Sequence, residues 1–478
     1  MFGFSQQPRA FYMIFMLEIW ERFGFYTTQG ILTLYFIRFL KMSNVDAYYT
    51  YGAFFSLMYG LVSLGGLLGD RVLGTKRAIW FGLCVLAMGY FSLSVVNQQY
   101  FFCSLGLIAV GNGLFKSNPS NLLSTCFRED DPRIHEAFTL YYMAINLGSI
   151  LALIIGPFLS TRFGYSYAYF ASFVGILLAI SNYFFHRQDI QAIQTNADNR
   201  SVSIFLWLTV VFGVVVLSVL ASYLLQNPFL MKRVLGVVIA GCVLYYIHQM
   251  RMYPGKIKRQ MLVALILMAE GVAFFTLYQQ MPTSLTVFVV HHVRTSIFGL
   301  SIDPQSFQAL NPIWIVILAP LLAMCYSKLS QRGIHISVPY KFSIGMFCCG
   351  ISFSVLYFSR YAYNESILIS PLWVVTSYFF QSLGELFVSA LGVAMVAELV
   401  PWQMRGFVMG MWFFTSSIAG FTGAFVASLT HVSGSAEVGL ASLLTYTSVF
   451  GVIGLSAFFI SILLMMNAPY LVRMMGSR

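Results

Sequence analysis

The sequence predicts an all-α membrane protein that crosses the bilayer fourteen times. Of its 478 residues, 59% are hydrophobic and only 9% are charged, which is more apolar surface than a soluble domain of this size needs. Apolar runs of about 18 or more residues recur along the whole chain, with short polar connections between them. These runs do not alternate between polar and apolar residues, which excludes a transmembrane β-barrel.

The apolar runs fall into three groups. The predicted spans lie near residues 10–37, 48–69, 78–96, 101–122, 138–161, 166–185, 203–225, 233–250, 260–289, 307–327, 340–359, 371–397, 406–429 and 440–467. The longest polar stretch, residues 186–200, follows the sixth span, and another, residues 252–260, follows the eighth. We therefore predict a six-helix bundle in residues 1–186, a linker with two inserted helices in residues 187–256, and a second six-helix bundle in residues 257–478.

The basic residues indicate how the spans are oriented. A formal net charge of +11 could suggest a nucleic-acid partner, but the basic residues follow the sides of the loops, so we expect none. Eighteen Lys and Arg residues lie on the side of the two termini and seven on the opposite side. The positive-inside rule therefore predicts that both termini are cytoplasmic. The two remaining basic residues, Arg22 and Lys116, lie inside spans.

The loop between the second and third spans contains the stretch GGLLGDRVLGTKR, residues 65–77. Its glycines allow helices to approach closely, Asp70 can face a helix N-terminus or an arginine, and the basic cluster stays in the cytoplasm. A charged turn that only satisfies the topology is the alternative. The pattern resembles the loop motif of the major facilitator superfamily, which implies that superfamily's fold and a role for Asp70 and Arg71 in conformational gating.

The first span contains three ionisable residues where each charge is costly to desolvate. At about 100° per residue, Glu18, Glu21 and Arg22 share one face of a helix with Tyr26 and Gln29. We expect this face to point into the bundle. Arg22 can neutralise one of the two glutamates, and the surplus carboxylate invites a proton. A static helix-packing network is the alternative.

Two more ionisable residues lie inside spans without an opposite charge on their own helix. Lys116 in the first half and Glu385 in the second would provide opposite charges across a central cavity, where they could hold a zwitterion. Asn146 and Asn311 add amide groups that both donate and accept, although each could serve helix packing alone. The sequence assigns no role to Glu270.

Together these motifs resemble the proton-dependent oligopeptide transporter family, and within it the bacterial dipeptide and tripeptide permeases. Residues 18–23 match the family motif E-x-x-E-R-F, and residues 142–149 match Y-x-x-I-N-x-G-S. Lys116, Glu385 and Ser389 also match, and the inserted helix pair agrees with bacterial members. The resemblance covers essentially the full length of the chain.

The resemblance implies two sets of functional residues. Proton coupling would rest on Glu18, Glu21, Arg22 and Lys116. The expected substrate-binding residues are Tyr26, Gln29, Tyr59, Lys116, Asn146, Phe275, Gln279, Asn311, Glu385, Ser389 and Trp412. In the family, the acid matching Glu385 is implicated in holding the amino end of the peptide, and the lysine matching Lys116 faces its carboxylate.

Three positions depart from the family pattern. Many members carry a second arginine after the first motif and an acidic residue on the seventh helix, where this chain has Gln29 and Gln279. Losing both charges together leaves neither unpaired. It also places more of the carboxylate recognition on Lys116. Phe25 stands where a tyrosine is common, which removes one hydroxyl.

The resemblance implies a proton-coupled symporter that imports dipeptides and tripeptides by alternating access. It also implies a functional monomer among the lipids of a bacterial inner membrane, driven by the proton gradient without a cofactor or metal. A proton-coupled carrier of another small zwitterion or anion, such as amino acids or peptidomimetics, stays open as an alternative. The spans contain no H-E-x-x-H, G-x-S-x-G or clustered aspartate pair, so we do not expect an enzyme.

Overall fold

The computed structural model describes residues 4–95, 98–127, 131, 133–191, 193, 197–199, 201–297, 299–388, 391–431 and 439–476. Most of these residues are helical. The α-helices are α1 Arg9–Leu34, α2 Asn44–Gly60, α3 Val62–Leu68, α4 Thr75–Val95, α5 Phe101–Lys116, α6 Asn118–Thr125, α7 Arg133–Arg162, α8 Tyr165–Phe185, α9 Ile204–Gln226, α10 Pro228–Met252, α11 Gly255–Tyr278, α12 Thr286–His292, α13 Leu310–Gln331, α14 Val338–Phe358, α15 Pro371–Val388, α16 Leu391–Leu399, α17 Arg405–Ser428 and α18 Leu440–Met475.

Short elements join these helices. Two antiparallel strands of two residues each, β1 Ser296–Ile297 and β2 Leu300–Ser301, form a small hairpin after α12. Turns of π-helix cover Tyr35–Phe39, Gly69–Leu73 and Met281–Leu285. Turns of 3-10 helix cover Phe4–Gln6, Gln98–Tyr100, Arg187–Ile190, Pro304–Ala309, Ser359–Tyr361 and Trp402–Met404.

The helices provide fourteen membrane crossings, as predicted. In the described part of the chain, eleven helical segments are long and apolar enough to cross a bilayer. The other three crossings are formed by α1, by α5 with α6, and by α15 with α16. Helix α1 carries Glu18, Glu21 and Arg22, α5 carries Lys116, and α15 carries Glu385. These three crossings therefore hold most of the ionisable residues predicted inside the membrane.

The crossing that holds Lys116 is interrupted directly after this residue. Helix α5 ends at Lys116, and α6 starts at Asn118 with Pro119 in its first turn. Proline has no backbone N–H and therefore cannot continue the hydrogen-bond ladder back to Phe115. The local sequence thus places the lysine at a helix end within the membrane.

The chain forms two compact units, each with its own helix packing. The first unit is Met1–Lys41 with Ala53–Met231. In it, α1 packs on α7 and α8, α4 packs on α5 and α8, and α5 packs on α9. The side chains of Leu83, Leu105 and Ile108 are fully buried.

The second unit is Met42–Gly52 with Lys232–Arg478. In it, α14 packs on α15 and α18, α11 packs on α17, and α13 packs on α15. Helices α14 and α15 approach closely at two glycines, because a Cβ on Gly345 would lie only 3.0 Å from the carbonyl oxygen of Gly384. The predicted division into six, two and six helices stays a prediction.

Candidate functional site

The first polar cluster is centred on α1. Glu18, Glu21 and Arg22 are all buried, as their helical spacing predicts. Nε of Arg22 lies 3.1 Å from Oε1 of Glu18 and donates to Oε2 of Glu21 at 2.6 Å. One guanidinium therefore contacts both carboxylates instead of one. We call Glu18, Glu21 and Arg22 the α1 triad.

Helix α7 contributes a further contact to the α1 triad. The hydroxyl of Tyr141 donates to Oε2 of Glu18 at 2.7 Å. Gly148 allows this approach, because a Cβ at that position would collide with the carbonyl oxygen of Ile19 and lie 2.9 Å from Cβ of Arg22. The glycine of the Y-x-x-I-N-x-G-S motif thus brings α7 against the charged face of α1.

Lys116 lies beside aromatic rings. Its Nζ is 3.5 Å from the centre of the Tyr59 ring and 5.6 Å from the centre of the Phe25 ring, both within cation–π range. The guanidinium carbon of Arg22 is 5.0 Å from the same Phe25 ring. Among the described residues of its own unit, no carboxylate forms an ion pair with Lys116. The expected opposite charge is therefore replaced, within this unit, by the face of an aromatic ring.

The charges of this cluster have a chemical consequence. With both glutamates ionised, the α1 triad has a net charge of −1 and Lys116 has +1, so the four side chains are neutral together. Protonation of one carboxylate leaves the group with a net positive charge in a poorly hydrated place. Such a group attracts an anion, and loss of the proton removes that attraction.

Three further predicted residues lie in the first unit, on α1 and α7. Tyr26 is half-buried and Gln29 is buried on α1, one and two turns beyond Arg22. Nδ2 of Asn146 donates to the carbonyl oxygen of Tyr142 on its own helix at 2.8 Å. The Asn146 amide is therefore partly occupied by its own backbone.

The loop motif, residues 65–77, runs into the first turn of α4. Oδ1 of Asp70 accepts a hydrogen bond from Nδ2 of Asn121 on α6 at 2.8 Å. The sequence predicts a helix N-terminus or an arginine as the neighbour of Asp70, and the structure shows the amide of Asn121 as a hydrogen-bond partner. Arg71 is exposed.

The linker after the sixth span is anchored on the same loop. The backbone N–H of Lys76 donates to Oδ1 of Asp198 at 3.3 Å, and a guanidinium nitrogen of Arg77 donates to the Asp198 carbonyl oxygen at 3.2 Å. Gly74, at φ 88°, is needed here because a Cβ would collide with Asp198. A carboxylate at the N-terminus of α4 is favourably placed for the helix dipole.

The second polar cluster lies in the second unit. Nδ2 of Asn311 donates to Oε2 of Glu385 at 2.8 Å and to Oγ of Ser382 at 3.1 Å. The hydroxyl of Tyr278 donates to Oδ1 of Asn311 at 3.2 Å. Among the described residues, Glu385 has no cationic partner in this unit. Its carboxylate is therefore held in position by the amide of Asn311 and not by a positive charge.

Aromatic side chains of α11 and α17 lie close to this second cluster. The rings of Phe275 and Trp412 are 6.0 Å apart and nearly perpendicular, and Phe275 also contacts Tyr278. Gln279 is buried, and neither its amide nitrogen nor its amide oxygen has a hydrogen-bond partner among the described residues. Ser389 lies outside the described residues.

The sequence missed three contributors to these clusters. Tyr141 holds Glu18, while Tyr278 and Ser382 hold Asn311. Tyr141 directly precedes the Y-x-x-I-N-x-G-S motif, and Ser382 lies three residues before Glu385 on one helix face. Both spacings can be read from the sequence. The sequence does not show, however, which group each of these side chains contacts.

Comparison with known proteins places the chain among transporters. The family model described as the POT family matches residues 76–443. Dipeptide and tripeptide permease A of Serratia proteamaculans (strain 568) is 43% identical over 471 residues, which is 98% of this chain and 92% of the relative. Dipeptide and tripeptide permease B of Salmonella typhimurium (strain LT2) is 42% identical over 477 residues, which is 99% of this chain and 98% of the relative.

Solved structures of peptide transporters are also similar to this chain. A bacterial homologue of the human drug peptide transporters PepT1 and PepT2 superposes with a TM-score of 0.86 at 30% identity, covering 98% of this chain and 99% of that one. A peptide transporter POT in complex with sulfate superposes with a TM-score of 0.86 at 26% identity, covering 99% and 97%.

Proposed function

The chain belongs to the POT family, and from this premise we propose that it imports dipeptides and tripeptides together with protons. It is a transporter and not an enzyme. Import follows the alternating-access cycle, in which the substrate is exposed first to one side of the membrane and then to the other.

The observation that carries the proposal is the ammonium of Lys116, which lies beside a triad with two carboxylates but forms no ion pair among the described residues of its unit. An ammonium next to a ring and without a carboxylate partner in its unit is free to bind an anion. A peptide offers such an anion at its C-terminus. Protonation of Glu18 or Glu21 strengthens this attraction, so proton binding and peptide binding favour each other.

The second cluster recognises the opposite end of the peptide. The Glu385 carboxylate, positioned by Asn311, pairs with the peptide ammonium. Phe275 and Trp412 offer apolar surfaces for peptide side chains, and Tyr26, Gln29, Tyr59, Asn146, Gln279 and Ser389 complete the proposed binding residues. In this proposal, each unit supplies one group that suits a charged end of a peptide, Lys116 for the carboxylate and Glu385 for the ammonium.

Proton entry supplies the driving force. After the peptide and the proton have been released to the cytoplasm, the α1 triad returns to its ionised state with both carboxylates facing Arg22. One charge that moves down the membrane potential contributes about 2.3 kcal/mol per 100 mV. This is enough for more than tenfold accumulation, since tenfold corresponds to about 1.4 kcal/mol.

The setting of the transporter follows from the same proposal. It works as a monomer in the bacterial inner membrane, with both termini in the cytoplasm, and needs the proton gradient but no cofactor. Asp70 and Arg71 act in gating through the loop at the start of α4, where Asp70 is bound to Asn121.

The experiment measures uptake of labelled dialanine into proteoliposomes with and without an inward proton gradient. We expect the wild type to concentrate the peptide only with the gradient, and Lys116→Ala and Glu21→Gln to lose this accumulation. Lys256→Ala, which removes an exposed lysine, is the matched control and should behave as wild type. Full concentrative uptake by both site variants would reject the coupling residues.

A competition series identifies the substrate class. Dipeptides and tripeptides should compete with labelled dialanine, whereas single amino acids and tetrapeptides should not. Competition by amino acids as strong as that by dipeptides would favour the alternative, a carrier of other small zwitterions.

A further inference from the structure

Glu270 is a buried acid that neither polar cluster uses. It lies on α11, fifteen residues after the helix start at Gly255, which is about 22 Å along the axis. Its side chain is 7% exposed, and neither carboxylate oxygen has a hydrogen-bond partner among the described residues. The candidate membrane span Gly255–His292, which consists of α11, a turn of π-helix and α12, places this carboxyl well inside the membrane.

The position of Glu270 on its helix separates it from two of the proposed peptide-binding residues, Phe275 and Gln279. At about 100° per residue, Val263, Leu267 and Phe274 lie within about 60° of Glu270, and all three are buried. Phe275 and Gln279, by contrast, are about 140° and 180° away around the helix. Glu270 therefore points to the apolar, packed side of α11.

No charge near Glu270 compensates it within the described residues of its unit. The charged residues of the helices packed against α11 are Lys341 on α14, Glu385 on α15, Glu398 on α16, Arg405 on α17 and Arg473 on α18. The buried titratable groups on those helices are Cys348, Cys349, Tyr378 and Tyr446. On α11 itself, Lys256, Lys258 and Arg259 lie at least eleven residues away. None of these forms an ion pair or a hydrogen bond with Glu270.

From this geometry we propose that Glu270 is a proton-binding site separate from the α1 triad. An ionised carboxylate without a counter-charge or a donor is strongly disfavoured in such surroundings. Glu270 therefore holds a proton, as a neutral carboxyl, in the conformation described here. In another step of the cycle it loses that proton to water and takes up a new one. This inference rests on the proposed proton-coupled transport, and it adds one proton to each cycle.

The experiment determines the number of protons moved per peptide from the reversal potential of proteoliposomes that hold fixed peptide and pH gradients. For Glu270→Gln, which keeps the shape of the neutral form, the ratio should fall by one relative to the wild type. Glu270→Asp keeps a titratable carboxyl and should keep the wild-type ratio. Glu398→Gln removes an exposed acid of the same unit and is the matched control, with no change expected.

The outcomes separate this inference from the proposed function. A wild type without gradient-driven peptide uptake would reject the proposed function itself. A coupled wild type with an unchanged ratio in Glu270→Gln would overturn only the role of Glu270. A Glu270→Gln protein that does not fold would also overturn it, because a neutral isostere should be tolerated where the native carboxyl is neutral.

Discussion

The ammonium of Lys116 lies 3.5 Å from the centre of the Tyr59 ring, and this ring takes the place that a carboxylate partner would occupy in its unit. An aromatic face stabilises a cation without cancelling its charge. Lys116 is therefore kept in position while its charge stays available to an anion. In the proposed function, this arrangement lets a half-buried lysine bind the peptide carboxylate.

The first prediction concerns the energy of this contact. Tyr59→Leu should lower the free energy of unfolding by about 1–2 kcal/mol, since a poorly hydrated ammonium loses the ring face. Tyr59→Phe, which keeps the ring, should cost less. A double-mutant cycle with Lys116→Met, measured by thermal unfolding in detergent, isolates the pair. Effects that add to within about 0.5 kcal/mol would show that the two side chains are not coupled.

The second prediction concerns Arg22. Arg22→Met should destabilise the protein by about 3–5 kcal/mol, because Glu18 and Glu21 are left as buried carboxylates without a cation. Adding Glu18→Gln and Glu21→Gln to the same chain should recover much of the loss, since no charge is then unpaired. Thermal unfolding of the single and triple variants checks this. A triple variant no more stable than Arg22→Met would contradict the ion-pair explanation.

The sequence was sufficient to predict the fourteen crossings to within several residues. The last crossing differs from its predicted range, because its apolar run stops near residue 467 while α18 continues to Met475. Hydropathy marks the part of a helix that faces lipid, whereas a helix itself can extend into water. Breaks within a crossing, such as the one after Lys116, also leave no mark on average hydropathy.

The candidate site was predictable where it lies on one helix. Helical spacing placed Glu18, Glu21 and Arg22 on one face, and the structure confirms that this face is buried. Contacts between helices were not predictable, since they depend on crossing positions that no local pattern specifies. The hydroxyl of Tyr141 on Glu18 and the ring of Tyr59 beside Lys116 are such contacts.

The third prediction concerns the amino end of the peptide. Glu385→Ala should weaken the binding of a free dipeptide by about 10–100-fold, because a hydrogen bond between charged groups contributes about 1.5–3 kcal/mol. Competition binding to purified protein measures this. An N-acetylated dipeptide has no ammonium, so its affinity should be nearly the same for the wild type and the variant. Equal loss for both peptides would indicate a structural role for Glu385.

The fourth prediction concerns the close approach of α1 and α7. Gly148→Ala places a methyl group against the carbonyl oxygen of Ile19 and Cβ of Arg22, which forces the two helices apart. We expect a loss of about 1–3 kcal/mol in stability from this overpacking. The hydrogen bond from Tyr141 to Glu18 crosses the same contact, so gradient-driven dipeptide uptake should fall as well.

Gly213→Ala on α9 is the matched control for this substitution. No heavy atom lies within 4 Å of a Cβ built on Gly213, so alanine should be neutral or should stabilise the helix by up to about 1 kcal/mol. Thermal unfolding and uptake are measured for both variants. If Gly148→Ala matched Gly213→Ala in both measurements, the packing of α7 against α1 would not control the α1 triad. If only Gly148→Ala lost uptake, the close approach of α7 to α1 at Gly148 would be shown to control the α1 triad.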